Sequence, residues 1–224
     1  MFRLIFQTII LIYIIILIYS VIDIQKYNIN GILIEIKEIH NLTNELINLN
    51  PLILKWNHTL SCSNLPEHYL LNGRVININE LYNKSDKQIF INKEKEIINY
   101  QKQSYEQYLP NHNILYPFNF TTSIYKGDIQ LPLKQCIHNY NIIGTLDGDS
   151  TLYLFNPKHK DDILYKGNNE IKKWGHKIKL EKDTVVFIPT NWYYIQEIPG
   201  KCIQYHIDVD TYFTFIPMFF KSYK

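Results

Sequence analysis

Val185-Val186-Phe187-Ile188-Pro189-Thr190-Asn191-Trp192-Tyr193-Tyr194-Ile195-Gln196 is an apolar, β-branched run that stops at a proline, turns through two polar residues and restarts in an aromatic cluster. β-Branched and aromatic side chains suit a pleated, half-buried surface, and proline followed by Thr-Asn breaks the ladder, so the stretch reads as strand, sharp turn, strand. The same grammar extends outward from it. From Pro117 onward, strands are expected at 118–123, 133–137, 142–147, 152–155, 177–180, 185–188, 193–197, 202–208 and 213–216. Turn signals separate them at Asp147-Gly148-Asp149, Asn156-Pro157, Gly167-Asn168-Asn169 and Pro199-Gly200. Many short, closely spaced strands without long intervening helices imply a sandwich or jelly roll.

Upstream, Ile32, Ile34 and Ile36 alternate with Leu33, Glu35 and Lys37, the period-two pattern of a half-buried strand. Residues 41–47 read as a short helix capped by Asn41 or Thr43, and Asn50-Pro51 separates it from a strand at Leu52-Ile53-Leu54. Residues 56–88 read as loop with one strand at 74–78. A helix is expected over 93–109, where Ile97, Gln101, Ser104, Tyr105 and Tyr108 recur at spacings of three and four and Pro110 ends the run.

The first 22 residues stand apart. Leu4 to Tyr19 is apolar except for Gln7 and Thr8, and Val21 and Ile22 extend the run to about the length an α-helix needs to cross ~30 Å of hydrocarbon. Ile18 is too large for the small-residue pattern of a cleavage site ending at Ser20, so the segment reads as an uncleaved signal anchor. Arg3 precedes the span, and the positive-inside rule then places the rest of the chain on the lumenal or extracellular side. The expected organisation is an anchor over residues 1–22, meeting the bilayer through residues 4–22, and one mostly β domain with some helix over 23–224.

Composition excludes less than it permits. Formal net charge is +2, and no basic stripe alternates with aromatics, so no nucleic-acid partner is expected. The 18 tyrosines suit a strand-rich fold.

Two motifs carry a family resemblance. Asn141-Ile142-Ile143-Gly144-Thr145-Leu146-Asp147-Gly148-Asp149-Ser150-Thr151-Leu152-Tyr153-Leu154-Phe155-Asn156-Pro157 is similar to a pattern of the JmjC and cupin-like 2-oxoglutarate oxygenases, in which Asn and two apolar residues lead to Gly-x-Lys and then to Leu-Phe-x-Pro. Phe187-Ile188-Pro189-x-x-Trp192-x-Tyr194 resembles their Pro-x-x-Trp-x-His turn. With the N-terminal strand, helix, Asn-Pro, strand order, the resemblance covers most of residues 30–216. It implies a double-stranded β-helix, iron held by two histidines and a carboxylate, and a lysine pairing with the far carboxylate of 2-oxoglutarate.

This chain departs from that set at every position. In the register fixed by Asn141 and Gly148, the first histidine falls on Gln135, the carboxylate on Ile137, the lysine on Ser150 and the distal histidine on Tyr194. The expectation is therefore a cupin-like domain that has lost Fe(II) and 2-oxoglutarate and serves as a binding or structural module. The alternatives are a hydroxylase of protein or glycan that uses Fe(II) and 2-oxoglutarate with unconventional ligands, and a lectin-like jelly roll. For the hydroxylase, His138, His206 and Asp208 are the candidate metal ligands, since His206 and Asp208 share one face of a strand. Trp192, Tyr193 and Tyr194, with Gln196 as a polar handle, form either a plug of the former metal pocket or the lining of a site for an unidentified protein or glycan.

Cysteines are few: Cys62, Cys136 and Cys202, with no Cys-x-x-Cys. An oxidising lumen permits one disulfide, and because the first and last strands of the resembled fold are neighbours, the resemblance implies Cys136–Cys202. Asn41, Asn57, Asn83 and Asn119 each begin an Asn-x-Ser/Thr glycosylation acceptor.

Overall fold

The computed structural model describes residues 2–25, 30–36, 42–55, 68–71, 74–77, 88–92, 115–182 and 184–211. The helix expected over 93–109, the strand at 213–216, and Asn41, Asn57, Cys62 and Asn83 lie outside the described residues. Helix α1 (Phe2–Gln25) is followed by strand β1 (Ile34–Ile36), helix α2 (Leu42–Ile47) and strand β2 (Leu52–Lys55). A hairpin of β3 (His68–Leu71) and β4 (Arg74–Asn77) and strand β5 (Gln88–Asn92) come next. The remaining strands are β6 (Leu115–Lys126), β7 (Ile129–Gln130), β8 (Lys134–Gln135), β9 (Tyr140–Gly148), β10 (Ser150–Phe155), β11 (His176–Leu180), β12 (Thr184–Pro189), β13 (Tyr193–Ile198) and β14 (Cys202–Thr211). Between β10 and β11 lie a 3-10 turn (Pro157–His159) and helices α3 (Lys160–Tyr165) and α4 (Asn168–Ile171).

Two sheets form the domain. The larger runs β1-β2-β12-β9-β14-β6-β5, and the smaller runs β11-β10-β13-β7, with β8 also paired to β13. From β6 onward the chain passes back and forth, with β6, β9, β12 and β14 in the large sheet and β7, β8, β10, β11 and β13 in the small one, and the last described strand inserts between β6 and β9. This strand order is that of a double-stranded β-helix, the cupin-like jelly roll expected from the sequence.

The Pro189–Trp192 turn is the hinge between the sheets. Asn191 adopts φ 66°, a left-handed conformation that asparagine tolerates better than most residues. The turn is held by the segment after β8: Thr190 N–H donates to Asn139 O, Asn191 N–H to Cys136 O, and Cys136 N–H to Trp192 O. It therefore delivers β12 to the large sheet and β13 to the small one. The other hinge, from β9 to β10, needs Gly148 at φ 76°, where a Cβ would lie 2.1 Å from the Lys201 carbonyl oxygen.

Side-chain alternation divides each strand between two layers. Ile143, Leu152, Leu154, Val186, Ile188, Trp192 and Tyr194 meet between the sheets. On the outer face of the small sheet, Phe155, Tyr193 and Ile195 pack under Ile163 of α3 and Ile171 of α4. On the large sheet, Tyr140 sets its ring edge-on to Phe187 and donates its hydroxyl to the Leu46 carbonyl of α2. The alternation expected over 32–36 holds only at its end: Ile36 is buried, Ile34 is half-buried and Ile32 is 66% exposed.

α1 is a 24-residue helix whose side chains are described at residues 3–19 and 22. Among the described residues, no helix is long and apolar enough to cross a membrane. Leu4, Phe6, Ile9, Leu11, Ile12, Tyr13, Ile15 and Ile18 are exposed around its circumference, and the Thr8 hydroxyl donates to the Leu4 carbonyl of the same helix.

Candidate functional site

β14 reverses the usual pattern of an inward apolar face. Gln204, His206, Asp208 and Asp210 occupy alternate positions, while Ile203, Tyr205, Ile207 and Val209 between them are buried on the other face. The polar row looks into the space between the sheets. It ends in a pocket of about 510 Å³ lined by Tyr125 of β6, Lys134, His138, Asn141 of β9, Tyr194 of β13, and His206 and Asp208. Thr121, Ser123, Leu131, Pro132, Gln135, Cys136 and Ile137 complete the wall.

Asp208 is the centre of the network. Its two oxygens accept from the Asn141 amide at 2.6 Å and the Asn119 amide at 2.9 Å, and His138 Nε2 lies 3.7 Å away. His138 Nδ1 donates to Asp210 at 2.6 Å, and Asp210, 1% exposed, also accepts the Asn139 N–H at 3.0 Å. Burial alone would lower the His138 pKa; the Asp210 hydrogen bond and the two carboxylates outweigh it and raise it. His206 behaves oppositely: burial, helped by the Lys134 charge and opposed by Asp208, lowers it to about 4, so its imidazole is neutral and lies 3.4 Å from the Tyr125 hydroxyl. Asn141 Oδ1 is buried with no partner among the described residues. The pocket thus presents a carboxylate, a neutral imidazole, an imidazole biased toward its charged form, hydroxyls and a lysine at its edge.

The residues at the family's ligand positions do not fit iron and 2-oxoglutarate. Ile137 carries no donor atom. Gln135 is exposed and donates its amide to Asn191 Oδ1 at 3.3 Å. The Tyr194 phenol lines the pocket, but burial, with the nearby Cys136, Asp208 and Tyr125, raises its pKa, so the phenolate that a metal would need is disfavoured. Ser150, in the lysine's place, is 1% exposed and accepts from the amides of both Gln196 and Gln204, at 3.0 and 2.8 Å. Gln196 also donates to Gln204 Oε1, and Gln204 to Thr145 Oγ1. This buried amide cluster surrounds Ser150 and offers no cation to pair with a cosubstrate carboxylate. The alternative ligands His138, His206 and Asp208 do converge on one pocket, yet among the described residues no group of three His, Cys, Asp or Glu side chains is arranged to hold a metal ion.

The aromatic candidates separate. Trp192 is fully buried between the sheets, and its indole N–H meets no acceptor among the described residues. Tyr193 faces outward under α3 and α4, and Gln196 belongs to the amide cluster. Of the four, only Tyr194 touches the pocket.

The expected Cys136–Cys202 disulfide is not formed; both are free thiols. Cys136 sits beside the Pro189–Trp192 turn and donates to the Ile188 carbonyl, whereas Cys202 opens β14 opposite Tyr125 and Gly148, in a separate cluster with Leu131 and Ile198. The expected strand adjacency is absent: Cys136 follows β8, which pairs with β13 of the small sheet, while Cys202 belongs to β14 of the large sheet. Asn119, expected as a glycan acceptor, lies in β6 with its amide donating to Asp208. Sequence reasoning missed Asp210, Gln204, Asn141 as a site residue, and Tyr125. The alternating polar residues of 204–210 were the available signal.

No family model and no curated protein matches the chain. Similar solved structures include a cupin superfamily protein of Desulfitobacterium hafniense, at 10% identity and TM-score 0.36, covering 63% of this chain and 94% of that one. A cupin 2 conserved barrel domain protein from Leptotrichia buccalis matches at 13% identity and TM-score 0.35, over 61% of this chain and 48% of that one. A salicylate 1,2-dioxygenase variant from Pseudoaminobacter salicylatoxidans, in complex with gentisate, matches at 7% identity and TM-score 0.30, over 42% of this chain and 20% of that one. The strand order, rather than these superpositions, defines the fold.

Proposed function

We propose that this chain is a membrane-tethered binding module that holds a small, hydroxyl-rich ligand, such as a glycan terminus, in the mouth of its β-helix without iron or 2-oxoglutarate. The observation that carries the reading is the pair His206 and Asp208 of β14, facing His138, Lys134 and Asn141 across a pocket of about 510 Å³. Ligand hydroxyls both donate and accept. Asp208 supplies acceptors, Lys134 and His138 supply donors, and the Tyr125 and Tyr194 rings supply apolar faces. A few convergent polar groups in a partly apolar cleft of this size are the usual make-up of a small-molecule site. The tether reading rests on α1, whose exposed residues over 4–19 are apolar apart from Gln7 and Thr8, as in a helix surrounded by lipid.

A second reading, an oxygenase with unconventional ligands, draws on the convergence of His138, His206 and Asp208. Thermal-shift titration of the full chain separates the two. Stabilisation by one of a panel of monosaccharides, lost in Asp208→Ala, supports the binding module. Fe(II) bound near one per chain, with a further shift on adding 2-oxoglutarate, overturns it in favour of the oxygenase. No shift with any of these leaves a structural module.

A further inference from the structure

The excursion between β10 and β11 turns an unusual face to solvent. Ile163 and Ile171 anchor it on Phe155 and Tyr193, and Gly175 lies so close to Phe155 that a Cβ there would meet the ring at 2.7 Å. With its inner face thus fixed, the excursion exposes Leu164 (53%), Tyr165 (86%) and Trp174 (46%). Lys166 lies 4.0 Å above the Trp174 ring, and Lys158, Lys160, Lys173 and Lys177 are exposed. Over residues 157–177, six lysines stand against Asp161, Asp162 and Glu170, a positive excess of three. A large aromatic pair among lysines matches the headgroup level of a bilayer, where amphipathic rings settle and basic residues meet anionic lipid.

The chain also fixes where this face can be. Asn156, the residue just before the excursion, donates its amide to the Gly31 carbonyl. Gly31 follows the end of α1 at Gln25 by six residues, a reach of at most about 20 Å. Exposed Ile32 is adjacent. We propose that Leu164, Tyr165 and Trp174 rest on the headgroup region of the same bilayer that holds α1, with the surrounding lysines drawn to anionic lipid. This rests on the tether reading and adds a second point of contact, which orients the domain.

The test uses the full chain in vesicles of phosphatidylcholine and phosphatidylserine carrying brominated acyl chains, whose bromines quench tryptophan on contact. Flotation reads the tether, and quenching reads the face. The expected result is that the chain floats, that part of its tryptophan emission is quenched, and that this part disappears in Trp174→Phe. Omitting phosphatidylserine, or Lys166→Glu with Lys173→Glu, is expected to reduce it at least two-fold. A chain that floats with Trp174 unquenched overturns the inference, leaves the tether intact and points to a protein as the occupant of this face. A chain that does not float overturns the tether reading, and the inference with it.

Discussion

His138 Nδ1 lies 2.6 Å from Asp210 Oδ2 across 72 positions of the chain, and this pair ties the segment after β8 to the far end of β14. Asp210 is buried and also satisfies the Asn139 N–H. Asp210→Ala takes away the hydrogen-bond partner of the half-buried His138 imidazole and of the Asn139 N–H, and is expected to cost about 1–3 kcal/mol in urea unfolding. In a double-mutant cycle with His138→Ala, the combined loss should fall well short of the sum.

The two pocket histidines should give opposite pH slopes. The raised pKa of His138 means its contribution is fully present below the unfolded value of about 6.5 and is lost as pH rises through its folded value. His206, lowered to about 4, stays neutral in the fold while the unfolded chain takes up a proton, so its contribution is present above about 6.5 and lost as pH falls toward 4. Because His206 is only half-buried beside an open pocket, that loss should be about 1–2 kcal/mol. Comparing urea midpoints at pH 7.5 and 4.5, His206→Gln should flatten the acid limb; an unchanged limb would show that His206 does not set it.

Gly144 is matched to a ring. It sits opposite Tyr205 in the β9–β14 ladder, and a Cβ would lie 2.1 Å from the Tyr205 Cζ. Gly144→Ala is expected to destabilise by about 1–3 kcal/mol. Most of that should return in Gly144→Ala with Tyr205→Leu relative to Tyr205→Leu alone.

Placing a lysine where the resembled oxygenases carry one should not create 2-oxoglutarate binding. Ser150→Lys places an ammonium inside the Gln196–Gln204 amide cluster, where it displaces two hydrogen bonds to Ser150. The expected outcome is a loss of several kcal/mol and no stabilisation by 2-oxoglutarate in a thermal-shift assay.

Both described thiols should resist alkylation in the folded chain. Burial, with Asp208 nearby, pushes the Cys136 thiol far up, and burial with Asp147 and Asp149 pushes Cys202 up to about 12. At pH 8 almost no thiolate is present at either. Mass mapping after native iodoacetamide treatment should find both unmodified, and both modified in urea without prior reduction.

The fold was legible where one face of a strand is apolar. β9, β10, β12 and β13 follow from β-branched runs cut by Gly and Pro. The hairpin strand at 68–71 carries no such alternation, and β8 is only two residues long, because its strand ends where Cys136 turns to bind the Trp192 carbonyl. The site was legible by position but not by content. The motif register located the pocket wall at Gln135, Ile137 and Tyr194. It could not show that Tyr193 and Gln196 point away from the pocket, since adjacent strand residues take opposite faces and the inner row extends past the cavity. The pairing of His138 with Asp210 was out of reach for another reason: nothing local in the sequence reports an ion pair between residues so far apart.

The position of β14 has a consequence for how the chain acquires its shape. It lies between β9 and β6, so the central ladder of the large sheet cannot close until residues 202–211 have been synthesised. Before then β6 and β9 present open edges, the templates for pairing with other chains. Long-range pairings of this kind are slow to form. During synthesis the nascent domain therefore passes through an aggregation-exposed interval that ends only when β14 arrives, and a strand that builds the pocket is also the one that ends the risk.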